Sequence, residues 1–252
     1  MFFKVPFYDA IAQKQYSNIA AWSKIGFNPD IKNAEEDLLP QGGVYTFPAS
    51  ATKMDLVSTD ADDADGDTGA RTVTIYGLLA DYSEASETLT LTGTTLVTTA
   101  NAYLRINNMR IASAGSSNAP EGILTLTETT GTTYKYGYIR NGFTRQRTMV
   151  YTVPLGKTLY ITSETLSAAC GASGHWTRYI LRATYDEKSN TVLRAGLYMP
   201  FMETTIVETA FERHFAIPLR FPAKTDIKMS AVCDGTVVTL VQAALRGYLV
   251  TE

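Results

Sequence analysis

Residues 69–93 read GARTVTIYGLLADYSEASETLTLTG, and their patterning decides the fold class. The first half, RTVTIYGLL, alternates apolar and hydroxyl side chains at the period of two that a half-buried strand requires. The second half, SETLTLTG, repeats that alternation. The short acidic stretch between them suits a turn, so the run predicts two antiparallel strands. Residues 103–114, YLRINNMRIASA, continue as a third. The polar faces of these strands are threonine rather than lysine and glutamate, and none of the residues is a reaction group.

Outward from this meander the chain keeps the same style. Short strands are expected at 44–47 and 53–58, and a hairpin joins 122–128 to 132–140 across Gly131. Residues 146–153 and 158–163 flank Pro154-Leu155-Gly156-Lys157, which suits a tight turn. Residues 179–186 and 191–199 flank a polar loop at 187–190. Residues 204–218 read as extended, bent near Ala210. Residues 226–233 and 237–249 flank Asp234-Gly235, a strong hairpin signal. The expected fold class is all-β: an antiparallel β-sandwich, jelly-roll-like, with a short N-terminal arm. In that arm residues 8–24 place Tyr8, Ile11, Ala12, Ile19 and Trp22 at roughly helical spacing, between Pro6 and Gly26. The expected organisation is an arm over 1–43, a β-rich domain over 44–142 and a jelly-roll-like domain over 143–252.

Composition narrows the function classes. The chain has 252 residues, 45% hydrophobic and 19% charged, with a formal net charge of −3. That is enough apolar matter for a packed core. The acidic balance argues against nucleic acid as a partner, which calls for a basic face. The apolar runs are strand-length, so no membrane partner is expected. The first fifteen residues carry no apolar signal-peptide core, so the expectation is use without Sec export. Cys170 and Cys233 lack metal or redox spacing and read as two buried free thiols.

No residue constellation commits the chain to catalysis, and the expectation is no enzyme, no cofactor and no bound metal. Asp60, Asp62, Asp63, Asp65 and Asp67 alternate with small residues and Gly66. The EF-hand register fails there, because Thr72 stands where the closing carboxylate belongs. The reading taken is a turn kept soluble by charge. His175, beside Trp176 in a glycine-rich loop, and His214, in a strand with Arg213 facing outward, have no placed partner in sequence.

The blocks EEDLLPQGGVYTFPASATKMDLVST (35–59), GDTGARTV…IASAGSS (66–117), FAIPLRFPAKTDIKMSAV (215–232) and GYLV (247–250) resemble, in order, a family of tailed-phage virion proteins of aquatic and marine phages. The likeness covers roughly residues 23–252. Such a resemblance implies a virion structural protein and supplies no catalytic residues. The expected function is capsid decoration: a cement protein on the head surface, assembled in the host cytoplasm, binding across capsomers. Its expected partners are the major capsid protein and itself, as a dimer or trimer. The residues expected at those interfaces are the apolar arm (Phe2, Phe3, Val5, Phe7, Tyr8, Trp22) and the basic cluster (Arg140, Arg145, Arg147). The alternative is a tail or fibre component that recognises a host glycan through residues 171–176.

Overall fold

The computed structural model describes residues 6–130, 134–170, 174–193, 196–207, 210–235 and 239–252. Phe2, Phe3, Val5, Gly131 and residues 171–173 lie outside them. A short helix α1 (Phe7–Ala12) precedes β1 (Ile19–Ile31) and β2 (Glu36–Asp37). There follow β3 (Met54–Ser58), β4 (Ala70–Leu78), β5 (Glu84–Thr90), β6 (Val97–Thr98), β7 (Arg105–Ala114), β8 (Leu124–Glu128) and β9 (Lys135–Ile139). The remainder comprises β10 (Val150–Thr152), β11 (Lys157–Cys170), β12 (Thr177–Ala183), β13 (Tyr185–Asp186) and β14 (Thr191–Val192). β15 (Met199–Ile206), β16 (Ala210–Phe221), β17 (Asp226–Cys233) and β18 (Thr239–Thr251) close the chain.

The protein is nearly all β and every strand pairing is antiparallel. Four larger sheets form, in the orders β1-β18-β11-β16, β10-β17-β12-β15 with β2 added on β17, β6-β3-β8-β9, and β5-β4-β7. Together they give a four-blade, propeller-like arrangement, not one clear jelly-roll sandwich. The buried apolar side chains fall into two clusters. One joins Leu159, Ile161, Phe221 and Leu245 to Tyr179, Leu181, Ile227 and Met229 across the first two sheets. The other joins Met54, Leu56, Leu124 and Leu126 to Val73, Ile75, Ile106 and Met109 across the last two. Each sheet thus hides one face against a partner, as an amphipathic sheet must.

The β4–β5 hairpin that decided the fold class forms as expected, but the third strand does not continue it as a meander: β7 pairs with β4, on the side away from β5. Thr72 pairs with Thr90 and Thr74 with Thr88 along β4 and β5, while Val73 and Ile75 turn into the core. Cross-strand hydroxyl pairs line the polar face: Thr74 to Thr88 at 2.9 Å and Thr72 to Ser113 of β7 at 2.6 Å. The β8–β9 and β13–β14 hairpins also form.

Other expectations are corrected. Residues 19–24 are not helical. They belong to β1, which pairs along β18 from Ile19↔Val250 to Ile31↔Thr239. The helix stops at Ala12, and Lys14 adopts a left-handed φ of 56° just beyond it. An unpaired β18 edge outweighs the local helical spacing of Ile19 and Trp22. The two reversals at 154–157 and 234–235 are not hairpins within a sheet. β10 and β17 lie in one sheet while β11 and β18 lie in the other, so each turn carries the chain across the sandwich. Arg213 is likewise not outward. It is half-buried and ion-paired with the buried Glu164 of β11, 2.5 Å away, and His214 is the exposed neighbour. Burial holds the Glu164 carboxyl above its usual range, against the pull of Arg213.

Candidate functional site

The N-terminal aromatics do not reach away from the body. Phe7 packs edge-on against Tyr8 and Tyr248, with ring centroids 5.4 Å apart in both pairs, and tilts on Tyr16. Tyr8 is nonetheless 57% exposed, and Phe7 and Tyr16 are also exposed. Ala10 and Ile11 are the buried side of the helix. A groove of about 670 Å³ runs beside it, between Tyr8 and Ile11 on one wall and Phe215 and Arg246 on the other. Trp22 packs on the first core, meets Tyr151 edge-on at 5.1 Å and also lines this groove. The structure therefore gathers Phe7 and Tyr8 into one exposed aromatic patch, with the partly buried Trp22 in the groove beside it.

Arg140, Arg145 and Arg147 do fall in one place, around Phe143. Arg147 lies over that ring at 4.4 Å, and Arg140 lies over Phe27 and Phe143 at 5.6 and 5.9 Å. The charges of Arg140 and Arg147 rest on aromatic faces, and none of the three has a carboxylate within 4 Å among the described residues. The guanidinium Nε of Arg147 is buried without a hydrogen-bond partner.

The residues that sequence reading missed lie on the seam between the two cores. Arg105, at the start of β7, makes a two-pronged ion pair with Asp226, at the start of β17, at 2.8 and 2.9 Å. Both side chains are almost fully buried. The remaining Arg105 nitrogen donates to the carbonyls of Pro48 and Leu104, and the Thr152 hydroxyl donates to Asp226 at 2.6 Å. Burial works against the Arg105 charge, but the Asp226 carboxylate outweighs it and the guanidinium is held above its usual pKa. Next to it, the Asn107 side chain bonds both backbone groups of Thr152 at 2.8 and 2.9 Å, filling the open edge of β10. Lys228 of β17 meets the buried Asp37 of β2 at 2.9 Å, and Asp37 also accepts from the Tyr45 backbone at 2.6 Å.

A cleft of about 400 Å³ opens in the same seam, lined by Trp22 and Lys24 of β1, Tyr76, Glu84, Arg145 and Tyr151 among others. Lys24 is only 8% exposed, and its ammonium donates to the Asn107 carbonyl of β7. Burial lowers its pKa from 10.5 to about 7. Below pH 7 the amine is charged whether folded or unfolded, and the folded state carries the whole burial cost. Between pH 7 and 10.5 only the unfolded chain keeps the proton, so this group's contribution to stability rises with pH across that window. Lys24→Met is therefore expected to stabilise the protein by about 1–3 kcal/mol at pH 6, with the gain fading towards pH 10. Paired urea titrations of wild type and variant at both pH values check this.

The aspartate loop contains one structural residue. Asp63 is completely buried, whereas Asp62, Asp65 and Asp67 are exposed. Asp60, Asp62 and Glu121 approach one another within 4.8 Å. One Glu121 oxygen already accepts from the Thr68 and Ser117 hydroxyls, both at 2.7 Å. Partial desolvation and the charges of Asp60 and Glu121 hold the Asp62 carboxyl above its usual range. His175 Nδ1 lies 2.7 Å from Asp234, tying two loops together, and exposed His214 lies 3.5 Å from Glu212. Cys233 is a buried free thiol, 3.3 Å from the Thr177 hydroxyl.

No family model matches the chain, and no curated protein matches it. Among solved structures, the Gt strain of infectious bursal disease virus aligns over 98% of this chain and 78% of that one, at 11% identity and a TM-score of 0.26. The Gx strain aligns over 98% and 77%, at 9% identity and a TM-score of 0.23. The VP2 subviral particle of the same virus aligns over 99% and 83%, at 10% identity and a TM-score of 0.19. Alignments at these scores do not establish a common fold.

Proposed function

We propose that this chain is a structural protein of a tailed-phage virion, a decoration protein that cements the head surface by non-covalent contact and catalyses no reaction. One observation carries the reading. Within the four-sheet arrangement, the orders of the facing sheets β1-β18-β11-β16 and β10-β17-β12-β15 support an eight-stranded jelly-roll reading of that half, with residues 32–149 inserted after its first strand. Jelly rolls recur in viral capsids and in lectins. The fold alone does not choose between them, and the ordered likeness of residues 35–59, 66–117 and 215–232 to phage virion proteins favours the first.

Two surface features support assembly. β16 is a twelve-residue strand paired, among the described residues, on one side only, by β11, and its Ile217 is 84% exposed. A long edge of that kind offers unpaired backbone groups and apolar side chains to another chain. The exposed Phe7–Tyr8–Tyr16 patch offers a second contact. The major capsid protein would cover these surfaces, with further contacts between copies of this chain. Binding to the assembled shell alone would stabilise that shell by mass action.

Copy number tests the reading. Quantitative mass spectrometry of purified particles is expected to give hundreds of copies per virion, on the head. A dozen or fewer would place the protein in the tail. Removing residues 1–16 deletes α1 and leaves β1 whole. That truncation is expected to weaken binding to emptied heads by about tenfold or more, a loss of roughly 1.4 kcal/mol. Unchanged binding would remove the aromatic patch from the interface.

A further inference from the structure

We propose that the cleft between β1 and the β5-β4-β7 sheet binds a small organic carboxylate with a flat apolar body, and that Lys24 is the residue that receives its charge. The proposal does not depend on the virion reading.

The first ground is an uncompensated buried cation. An ammonium has three N–H donors, and that of Lys24 makes one hydrogen bond, to a neutral carbonyl. Among the described residues no carboxylate lies within ion-pairing distance of it. Every other buried lysine or arginine of the seam has one: Arg105 has Asp226 and Lys228 has Asp37. A buried charge needs a partner or gives up its proton. Here the missing partner would enter from solvent, because Lys24 lines an open cleft.

The second ground is the shape and chemistry of that cleft. At about 400 Å³ it falls in the size range of small-molecule sites. Trp22, Tyr76 and Tyr151 supply aromatic surface for an apolar body. Arg145 stands exposed at the rim with no carboxylate partner among the described residues, a second cation for the same anion. Glu84 also faces the cleft, and its charge is taken by Lys157 at 2.6 Å. A rim carboxylate disfavours a bare anion such as phosphate, whereas an apolar body on the aromatic walls offsets that repulsion. The titratable groups that face Lys24 across the cleft are thus Glu84 of β5, Tyr76 of β4, Tyr151 of β10 and Arg145.

Benzoate is the probe, with benzamide as its uncharged counterpart and inorganic phosphate as the bare anion. Calorimetry at pH 6 is expected to give a benzoate Kd on the order of 1 mM or tighter. Benzamide, phosphate and benzoate on the Lys24→Met variant should each bind at least about tenfold more weakly. Wild type gives an independent reading if the variant misfolds. With 13C-labelled lysine, saturating benzoate should move the Lys24 titration midpoint upward, because an anion favours the charged amine. Benzamide or phosphate binding as tightly as benzoate, full benzoate affinity in Lys24→Met, or an unmoved midpoint would each overturn the proposal.

Discussion

Asp226→Ala is expected to destabilise the protein by about 3–5 kcal/mol, because it leaves the Arg105 guanidinium charged and buried without its partner. The carboxylate takes both prongs of Arg105 and the Thr152 hydroxyl, and its own backbone N–H donates to the Thr184 hydroxyl at 2.9 Å. Alanine keeps only the last of these. For a chain of this length the loss corresponds to a fall in melting temperature of roughly 6–20 °C. The double variant Arg105→Met/Asp226→Leu removes both charges and restores apolar volume, so it should recover most of the stability. Denaturant titration of both proteins decides the matter. A single variant within about 0.5 kcal/mol of wild type would mean that the seam does not depend on this pair. The pair joins residues 121 positions apart, one beside each core, so its loss should also weaken the coupling between the cores and broaden the unfolding curve.

Why this pair escaped sequence reading is a matter of range. Local alternation is enough to find β4, β5 and β7 as strands, and the short turn at 79–83 is enough to pair β4 with β5; that β7 returns to β4 is not local. The same reasoning finds the β8–β9 hairpin. It fails at Gly156, whose φ is 70°, and at Asp234-Gly235. Turn chemistry there fixes that the chain reverses but not whether it returns to its own sheet. In the facing sheets β17 lies between β10 and β12, the nearer of them about fifty residues earlier, and β18 lies between β11 and β1, the latter at the other end of the chain. Nothing local encodes those pairings. The same long-range pairing turned Ile19 and Trp22 into strand residues and set Lys24 facing a cleft. For Arg213 the alternation was visible and its phase was not: Phe211, Arg213 and Phe215 share the half-buried face, with Arg213 over both rings at 5.7 and 5.2 Å. A long arginine can lie on an apolar face while its charge finds Glu164. Of the interface residues expected from sequence, the basic cluster was legible because Arg140, Arg145 and Arg147 are close in sequence. That Tyr8 stands on the helix and Trp22 on a strand of the same groove was not, because it depends on where β1 begins.

Asp63→Ala is the second large effect expected, and it separates two readings of the acidic loop. If the loop were only solvated charge, all five aspartates would be replaceable. Asp63 instead faces inward, with Oδ1 accepting from the backbone N–H groups of Ala70 and Glu121 at 2.8 and 2.9 Å. Its Oδ2 accepts from the Gly122 N–H at 2.9 Å and the Ser58 hydroxyl at 2.5 Å. One carboxylate thereby fastens the ends of β3 and β4 to the segment entering β8. Alanine would strand three N–H donors, those of Ala70 and Gly122 buried and that of Glu121 partly so, each buried one costing about 1–3 kcal/mol when unsatisfied. Partial relaxation and water entry would reduce the sum, so a loss of about 3–5 kcal/mol is expected. Asp63→Asn keeps the shape but turns an NH₂ group towards two of the donors, so it should lose about 2–3 kcal/mol. The exposed Asp65→Ala should stay within about 0.5 kcal/mol of wild type. Urea titration of the three variants gives the ranking. The distinctive readout is local: amide exchange at Ala70, Glu121 and Gly122 should speed up in Asp63→Asn while the core strands β11 and β18 stay protected. Equal and small effects at Asp63 and Asp65 would return the loop to a soluble turn.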